Sequence, residues 1–202
     1  RRRTLLQAGA AWALAGAGSA WTQTPAARRF VVGQSVPLTG AASEIGLAFA
    51  AGAKLYFDAF NGRKNNPGLQ FELRQLDDGF DPARASANAR KLLAEGAEVL
   101  FGFIGTASAA AGAAVAQSEG AIFFAPFAAS DALREASQAH VFHVRPSLSD
   151  EAFKMVRHAA TLGQTRIAVV AEDDAMGRAG TAAVQAAMAE LKLPAPVAVA
   201  VV

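Results

Sequence analysis

The sequence predicts an α/β fold built around a mainly parallel sheet. Short apolar runs, such as 99–104 and 121–125, are typical of strands that are buried on both faces of such a sheet. Between these runs lie segments with helical spacing of apolar or small residues, so strand and helix alternate along the chain. A hydrophobic fraction of 52% and a charged fraction of 18% over 202 residues fit one large globular domain or two small ones.

Most of the predicted elements are bounded by residues that favour their ends. Asn61-Gly62 stops the first helix, and Asp81 followed by Pro82 is typical of a helix N-terminus. Ser149 is predicted to cap a later helix. Polar and apolar residues alternate in 69–76, which predicts a strand near the sheet edge. The predicted strands are 30–36, 69–76, 99–104, 121–125, 141–144, 165–171 and 197–202. Helices are predicted from 46 to 61, from 82 to 96, after 105, after 130, from 149 to 162, and after the loop 172–177 to about 192.

Residues 1–20 resemble an export signal. Three arginines precede an alanine- and glycine-rich apolar run, and small residues at 18–20 suit a cleavage site. The sequence RRTLLQ at 2–7 resembles the twin-arginine export motif. The run is too short and too rich in glycine for a permanent membrane span. Residues 21–29 are predicted to form a tail outside the fold. Because no helix follows the strand predicted at 197–202, we expect the sequence to be part of a longer protein.

Most common catalytic and cofactor signatures are absent from the sequence. It has no cysteine, no G-x-G-x-x-G turn and no P-loop lysine. The formal charge is +2, and the arginines at 1–3 account for it, so no nucleic-acid surface is indicated. His140 and His143 point to opposite faces of a strand, and we interpret them, with His158, as structural. The acidic groups at 77–78 and 172–174 fit acid–base chemistry or Mg²⁺, but also helix capping.

Two predicted loops, 105–108 and 126–130, follow neighbouring strands. A right-handed crossover places both loops at the same edge of the sheet. Each loop leads into a predicted helix N-terminus, where free backbone N–H groups and the helix dipole favour an anion. Thr106, Ser108 and Ser130 add hydroxyl groups. The pattern suits a small molecule that bears a carboxylate, and it equally suits two ordinary helix caps.

Several blocks of the sequence occur in the order and spacing of a known family. They are GQSVPLTG (33–40), LDDGFDPA (76–83), GFIGTAS (102–108), APF (125–127) with DALR (131–134), VRPS (144–147) and DDAMGR (173–178). Through them, residues 30–202 resemble the N-terminal half of substrate-binding proteins of the branched-chain amino-acid (Leu/Ile/Val) type, with the type I periplasmic fold. The resemblance implies two lobes that close on a ligand. Residues 30–144 would form the first lobe, and 145–202 would begin the second.

The resemblance also implies roles for the two loops. Thr106 and the backbone N–H groups of its loop would bind the ligand carboxylate, and the loop 128–130 would offer a carbonyl and a hydroxyl to an α-amino group. Ala129 stands where many relatives carry Ser or Thr, and Phe127 stands where Leu/Ile/Val binders have glycine. Ile45 and Met176 stand where relatives often have aromatic residues. The ligand-contacting residues that we expect are Ile45, Ile104, Thr106, Ala107, Ala128, Ser130 and Met176.

The function that this resemblance implies is passive capture. We expect an exported periplasmic protein that holds an amino acid or related carboxylate between its lobes and delivers it to the membrane subunits of an ABC importer. No cofactor, metal or nucleic acid is expected. A receptor's ligand-binding sensor domain would use the same fold, and an exported α/β enzyme that uses the acidic groups at 77–78 or 172–174 is the remaining alternative.

Overall fold

The computed structural model describes residues 27–63 and 68–202. Its strands are β1 (Arg28–Val36), β2 (Leu69–Asp77), β3 (Val99–Phe101), β4 (Ile122–Phe124), β5 (Val141–Phe142), β6 (Ala168–Ala171) and β7 (Ala198–Val201). Its α-helices are α1 (Ser43–Asn61), α2 (Pro82–Ala94), α3 (Thr106–Ser118), α4 (Leu148–Thr161) and α5 (Ala175–Glu190). The predicted signal segment 1–20 lies outside the described residues. None of the described helices combines the length and apolar character that a membrane span needs.

The strands form two sheets. A five-stranded sheet has the order β2-β1-β3-β4-β5, and β6 pairs with β7 in a second sheet. Every strand pair in the described ranges is parallel, which confirms the predicted α/β class. The strand β2 lies at the edge, as its polar alternation predicts. Because the strands are parallel, the loops at their carboxyl ends gather along one edge of the five-stranded sheet.

The main core lies between the five-stranded sheet and the helices α2 and α3. Leu92 of α2 packs there with Leu100, Phe103 and Phe123, all of which have no exposed surface. The rings of Phe103 and Phe123 meet edge to face at 5.1 Å between centroids. Full burial of such side chains contributes about 1.5–3 kcal/mol each. This packing holds α3, and therefore its first turn, against the sheet.

The first strand begins earlier than predicted. Arg28 and Arg29, which the sequence analysis assigned to the tail, pair in parallel register with Leu69 and Gln70 of β2. Arg28 also binds Glu98 across 2.8 Å, and Arg29 forms an ion pair with Glu72. The prediction was wrong because pairing with a nine-residue β2 and these acidic partners extends the strand into a basic segment.

The helix predicted after residue 130 was also wrong. Residues 131–134 and 136–138 form only short 3₁₀ turns, separated by Glu135 in an extended conformation. Arg134 turns back to donate to the Ser130 carbonyl instead of continuing along a helix. Only the first loop therefore leads into an α-helix.

The predicted cap of α4 was wrong as well. Ser147, not Ser149, accepts from the Asp150 N–H, and the Asp150 carboxylate reaches back to the Ser147 N–H. This reciprocal capping box satisfies two otherwise free donors at the helix start. The Ser149 hydroxyl donates instead to Asp131, across 2.9 Å.

Several strands are shorter or more exposed than predicted. The ladder of β3 stops at Phe101 because Gly102 adopts a positive φ of 61°. The chain rejoins the sheet only at the isolated Ile104–Phe127 bridge. The strand β6, whose apolar sequence predicts burial, and the strand β7 are both largely exposed, with Val170 at 73%. Within the described residues, α5 packs against this small sheet and α4 packs on α5, so much of the sheet stays open.

Gly46 of α1 tests how closely this helix packs against Pro37. A Cβ on Gly46 would lie 1.8 Å from the Pro37 carbonyl oxygen, whereas a Cβ on Gly52 would meet nothing within 4 Å. We expect Gly46→Ala to lower the free energy of unfolding by more than about 2 kcal/mol, because backbone must move. Gly52→Ala, on the same helix, is expected to raise it by about 0.5–1 kcal/mol. Urea unfolding followed by circular dichroism measures both, and equal effects would contradict the α1–Pro37 contact.

Candidate functional site

The two loops lie side by side because backbone pairing continues beyond β3 and β4. The Phe127 N–H donates to the Phe103 carbonyl across 2.8 Å, and the Gly105 N–H donates to the Phe127 carbonyl across 3.2 Å. The first loop then enters α3, while the second continues as 128–130. The predicted juxtaposition of the loops is therefore confirmed.

The first turn of α3 presents free backbone donors. Gly105 precedes the helix with φ 91° and provides no side-chain cap. The first helical hydrogen bond runs from the Ala109 N–H to the Gly105 carbonyl, so the N–H groups of Thr106, Ala107 and Ser108 have no intrahelical acceptor. These donors and the helix dipole favour an anion.

A cavity of about 220 Å³ lies in front of this turn. Of the seven predicted contact residues, six line it: Ile45, Ile104, Thr106, Ala128, Ser130 and Met176. Ala107 does not line the cavity, because its side chain lies on the exposed side of α3, although its N–H is one of the free donors. The cavity thus joins both loops with the starts of α1, α4 and α5.

Two hydroxyl groups of the cavity have no hydrogen-bond partner in the described part of the chain. They belong to Thr106 and Ser130, and Ser130 is only 7% exposed. Both groups are therefore available to a ligand in the cavity.

Phe80 is a cavity residue that was not predicted from the sequence. Phe80 lines the cavity and has a positive φ of 66°. The Asp78 carboxylate accepts from the Phe80 N–H across 2.9 Å, which supports this unusual turn. The ring lies over Gly105, where a Cβ would stand 2.7 Å from it. No sequence pattern signals a left-handed phenylalanine, so this residue could not have been found earlier.

Arg145 is the second residue that was missed, and it supplies the charge of the cavity. Its guanidinium lies 5.1 Å from the centroid of the Phe127 ring, and it donates to Glu151 across 2.8 Å. Arg145 follows β5, and sequence alone did not indicate where its side chain points. Among the described residues that line the cavity, it is the one with a formal charge.

Arg134 holds the second loop in place. Its Nη1 donates to the Ser130 carbonyl across 2.8 Å, and its Nη2 donates to the Arg145 and Pro146 carbonyls across 3.0 and 3.1 Å. The Leu148 N–H also donates to the Ala129 carbonyl across 2.7 Å. These bonds connect the loop to the start of α4 and so fix the position of Arg145.

The acidic pair at 77–78 has structural partners. Asp77 accepts from the Thr39 hydroxyl and from the N–H groups of Leu38 and Gly79, and it pairs with Arg84. The Thr39 hydrogen bond is the main reason that the pKa of Asp77 lies well below its ordinary value. Burial raises the pKa of Asp78, and its hydrogen bonds from Phe80 and Ser35 oppose this effect. The pair organises the turn that carries Phe80.

Two of the carboxylates at 172–174 and two of the histidines also have structural partners. Asp174 caps α5 by accepting from the Gly177 N–H across 2.7 Å, and Asp173 pairs with Arg178 across 3.1 Å. His140 Nε2 and His143 Nε2 each lie 2.9 Å from a backbone carbonyl oxygen, of Ala113 and Leu133 respectively. Within the described ranges no His, Cys, Asp and Glu side chains cluster as metal ligands would.

Comparison with known proteins identifies the family. Residues 30–201 match the periplasmic binding protein family, so the chain belongs to this class of proteins, which bind ligands and are not enzymes. No curated protein sequence matches the chain.

Solved structures share the fold. A possible leucine/isoleucine/valine-binding protein from Rhodopirellula baltica is 27% identical, with a TM-score of 0.77 over 84% of this chain and 46% of its own. A substrate-binding periplasmic protein from Ralstonia solanacearum is 28% identical, with a TM-score of 0.75 over 86% of this chain and 49% of its own. A solute-binding protein of an ABC transporter from R. palustris, in complex with benzoate, is 22% identical, with a TM-score of 0.76 over 87% and 48%. The chain thus spans about half the length of these proteins.

The Asp77 cluster makes the stability depend on pH. A carboxyl whose pKa is lowered by folding stabilises the fold fully above its ordinary value of 3.8, and this contribution is lost as pH falls. We expect Asp77→Asn to be less stable at pH 7, with a shallower loss of stability between about pH 5 and pH 2. Asp78, whose pKa is raised, contributes stability that falls as pH rises, and it does so equally in wild type and in Asp77→Asn. Thermal unfolding at several pH values across this range measures how the stability of each protein depends on pH. Asp58→Asn, which removes an exposed carboxylate, is the control. Parallel curves for Asp77→Asn and wild type would contradict the role of Asp77.

Proposed function

We propose that the chain is the N-terminal part of an exported solute-binding protein that captures a small carboxylate and delivers it to an ABC importer. The ligand would lie in a cleft between a first lobe, 30–144, and a second lobe that begins at 145. The observation that carries this proposal is the free first turn of α3 beside two unpartnered hydroxyls in one cavity.

The charges of the cavity support an anionic ligand. The free N–H groups at 106–108 and the Arg145 guanidinium act in a cavity with mostly apolar walls, where they are weakly screened. Hydrogen bonds from such donors to a carboxylate are shorter and stronger than those between neutral groups. Closure of two lobes around the ligand would remove more water and strengthen them further.

The similar proteins support the same ligand group. Benzoate is itself a carboxylate, and leucine, isoleucine and valine each carry one. The carboxylate is therefore the part shared by the ligands that these names give. We assign the ligand carboxylate to the first turn of α3, and the walls of the cavity would contact the rest of the ligand.

Export to the periplasm belongs to this proposal. The family is named for periplasmic proteins, and the arginine-rich, alanine-rich segment 1–20 has the composition of an export signal. Delivery to an importer requires a ligand that leaves the protein unchanged. The structural partners of the acidic groups support capture over catalysis.

Thr106→Ala tests the carboxylate site. Loss of a hydrogen bond to a charged group costs about 1.5–3 kcal/mol, which is about 10- to 150-fold in affinity. Isothermal titration calorimetry on the complete mature protein, with a panel of amino and organic acids, measures this loss for whichever acid binds.

Thr106→Ser is the matched control because it keeps the hydroxyl. We expect its affinity to stay within about threefold of wild type. If Thr106→Ala binds as tightly as wild type, Thr106 is not part of the site. If a bound ligand is converted rather than returned unaltered, passive capture is wrong.

A further inference from the structure

The side chain of Asn61 ties the end of α1 to β2. Its Nδ2 donates to the Phe71 carbonyl across 2.7 Å, and its Oδ1 accepts from the Phe71 N–H across 2.8 Å. Because β2 lies at the edge of the five-stranded sheet, these are the backbone groups with which a further strand would pair. The amide of Asn61 therefore takes the place of one residue of a neighbouring strand.

Aromatic packing supports these two hydrogen bonds. The Phe71 ring lies 5.0 Å from that of Phe60 and 5.2 Å from that of Phe57, both on α1. It also meets Phe30 of β1 edge to face at 5.7 Å. Aromatic pairs at these distances attract each other beyond the effect of burial. The last turn of α1 is thus held against β2 by ring packing as well as by hydrogen bonds.

An amide can make both hydrogen bonds, whereas a carboxylate cannot. The Nδ2 of Asn61 is a donor and its Oδ1 an acceptor, but both oxygens of an ionised aspartate are acceptors. An aspartate at position 61 would still accept from the Phe71 N–H. Its second oxygen would face the Phe71 carbonyl oxygen with no proton between them. Exchange of the amide for an acid therefore breaks one of the two bonds and opposes two acceptors.

The glycine after Asn61 makes its side-chain amide chemically reactive. In deamidation the backbone nitrogen of Gly62 attacks the Asn61 Cγ and closes a five-membered succinimide. The bond from Cγ to Nδ2 breaks, and this nitrogen leaves as ammonia with the proton of the attacking N–H. Water then opens the ring to aspartate or isoaspartate. Glycine at the attacking position has no side chain to obstruct the ring closure.

The folded structure opposes this reaction. The Gly62 N–H donates to the Asp58 carbonyl across 3.0 Å in the last turn of α1, and the Asn61 amide is held on Phe71. For the nitrogen to reach Cγ, the side chain must rotate away from β2 and the backbone must leave its helical conformation. Both changes require local opening of the end of α1.

We infer that Asn61 is a deamidation site whose reaction is controlled by its hydrogen bonds to β2, and whose product loosens the end of α1 from that strand. The rate follows the population of the opened last turn of α1. Because ammonia leaves, closing of the turn does not restore the amide, and the product accumulates with the age of the protein.

Peptide mass spectrometry tests the site on the complete mature protein. Trypsin cleavage after Lys54 and Arg63 gives the peptide 55–63, in which Asn61 carries the single side-chain amide. The protein is incubated at mildly alkaline pH, in buffer and in concentrated urea. We expect this peptide to convert from amide to acid at least about tenfold more slowly in buffer than in urea. No conversion in urea, or equal rates in both solvents, would overturn the inference.

Two variants separate the chemistry from its control. Gly62→Ala leaves the fold intact, because a Cβ there lies 3.5 Å from the Asp58 carbonyl oxygen, an ordinary contact, and it is expected to slow conversion in urea. Phe60→Ala removes one ring from the contact with Phe71. It is expected to speed conversion in buffer by about threefold or more and to leave the rate in urea unchanged. Circular dichroism establishes that both are folded. A wild-type rate for folded Phe60→Ala in buffer would contradict control by β2.

Asn61→Asp tests the effect of the product. We expect its thermal midpoint to lie at least about 2 °C below that of wild type, because one hydrogen bond is lost and two acceptors are opposed. Gly62→Ala, in the same turn, is the matched control, and its midpoint is expected not to fall below the wild-type value. Equal midpoints of Asn61→Asp and wild type would show that the product leaves α1 attached to β2.

Discussion

The site depends on the backbone pairing that carries β3 and β4 past the ends of their ladder. Gly102 leaves the ladder with a positive φ, yet its N–H still donates to the Phe124 carbonyl across 3.0 Å. The chain then rejoins at the Ile104–Phe127 bridge. Because Phe103, between these points, is fully buried in the core, the detour is rigid. It brings Gly105 to the second loop and sets where α3 begins, so the free donors of α3 face the cavity.

A second constraint fixes the position of the charged group in the cavity. The guanidinium of Arg134 donates to three backbone carbonyls, one in the second loop and two in the segment before α4. Hydrogen bonds from charged donors contribute about 1.5–3 kcal/mol each when their loss leaves an acceptor unpaired. Arg145 is thereby placed over Phe127, and its pair with Glu151 holds the side chain from the other side. The position of the cation is a property of this network rather than of Arg145 alone.

The sequence predicted the class of the fold, the element order and the meeting of the two loops, because apolar runs, Gly and Pro mark strands and their ends. Six of the seven ligand-contacting residues that were predicted line the cavity, since the loops after the strands and the helix starts carry them. The sequence could not predict Phe80, whose direction depends on a left-handed backbone that Asp78 supports. A helix was predicted after Ser130 because local residue spacing does not reveal that the Arg134 side chain donates to the Ser130 carbonyl. Arg28 and Arg29 joined β1 through acidic partners distant in sequence.

The residues at which this chain differs from Leu/Ile/Val-type relatives act together. The resemblance places glycine where Phe127 stands, and here the ring fills the space and packs against both Phe49 and the Arg145 guanidinium. It places a hydroxyl where Ala129 stands, and here that acceptor is missing while the Ala129 carbonyl is engaged by Leu148. One difference adds an apolar wall that holds a cation, and the other removes an acceptor for an ammonium group. Both differences lie in the second loop, so they change the wall of the cavity and leave the free N–H groups of the first turn of α3 in place.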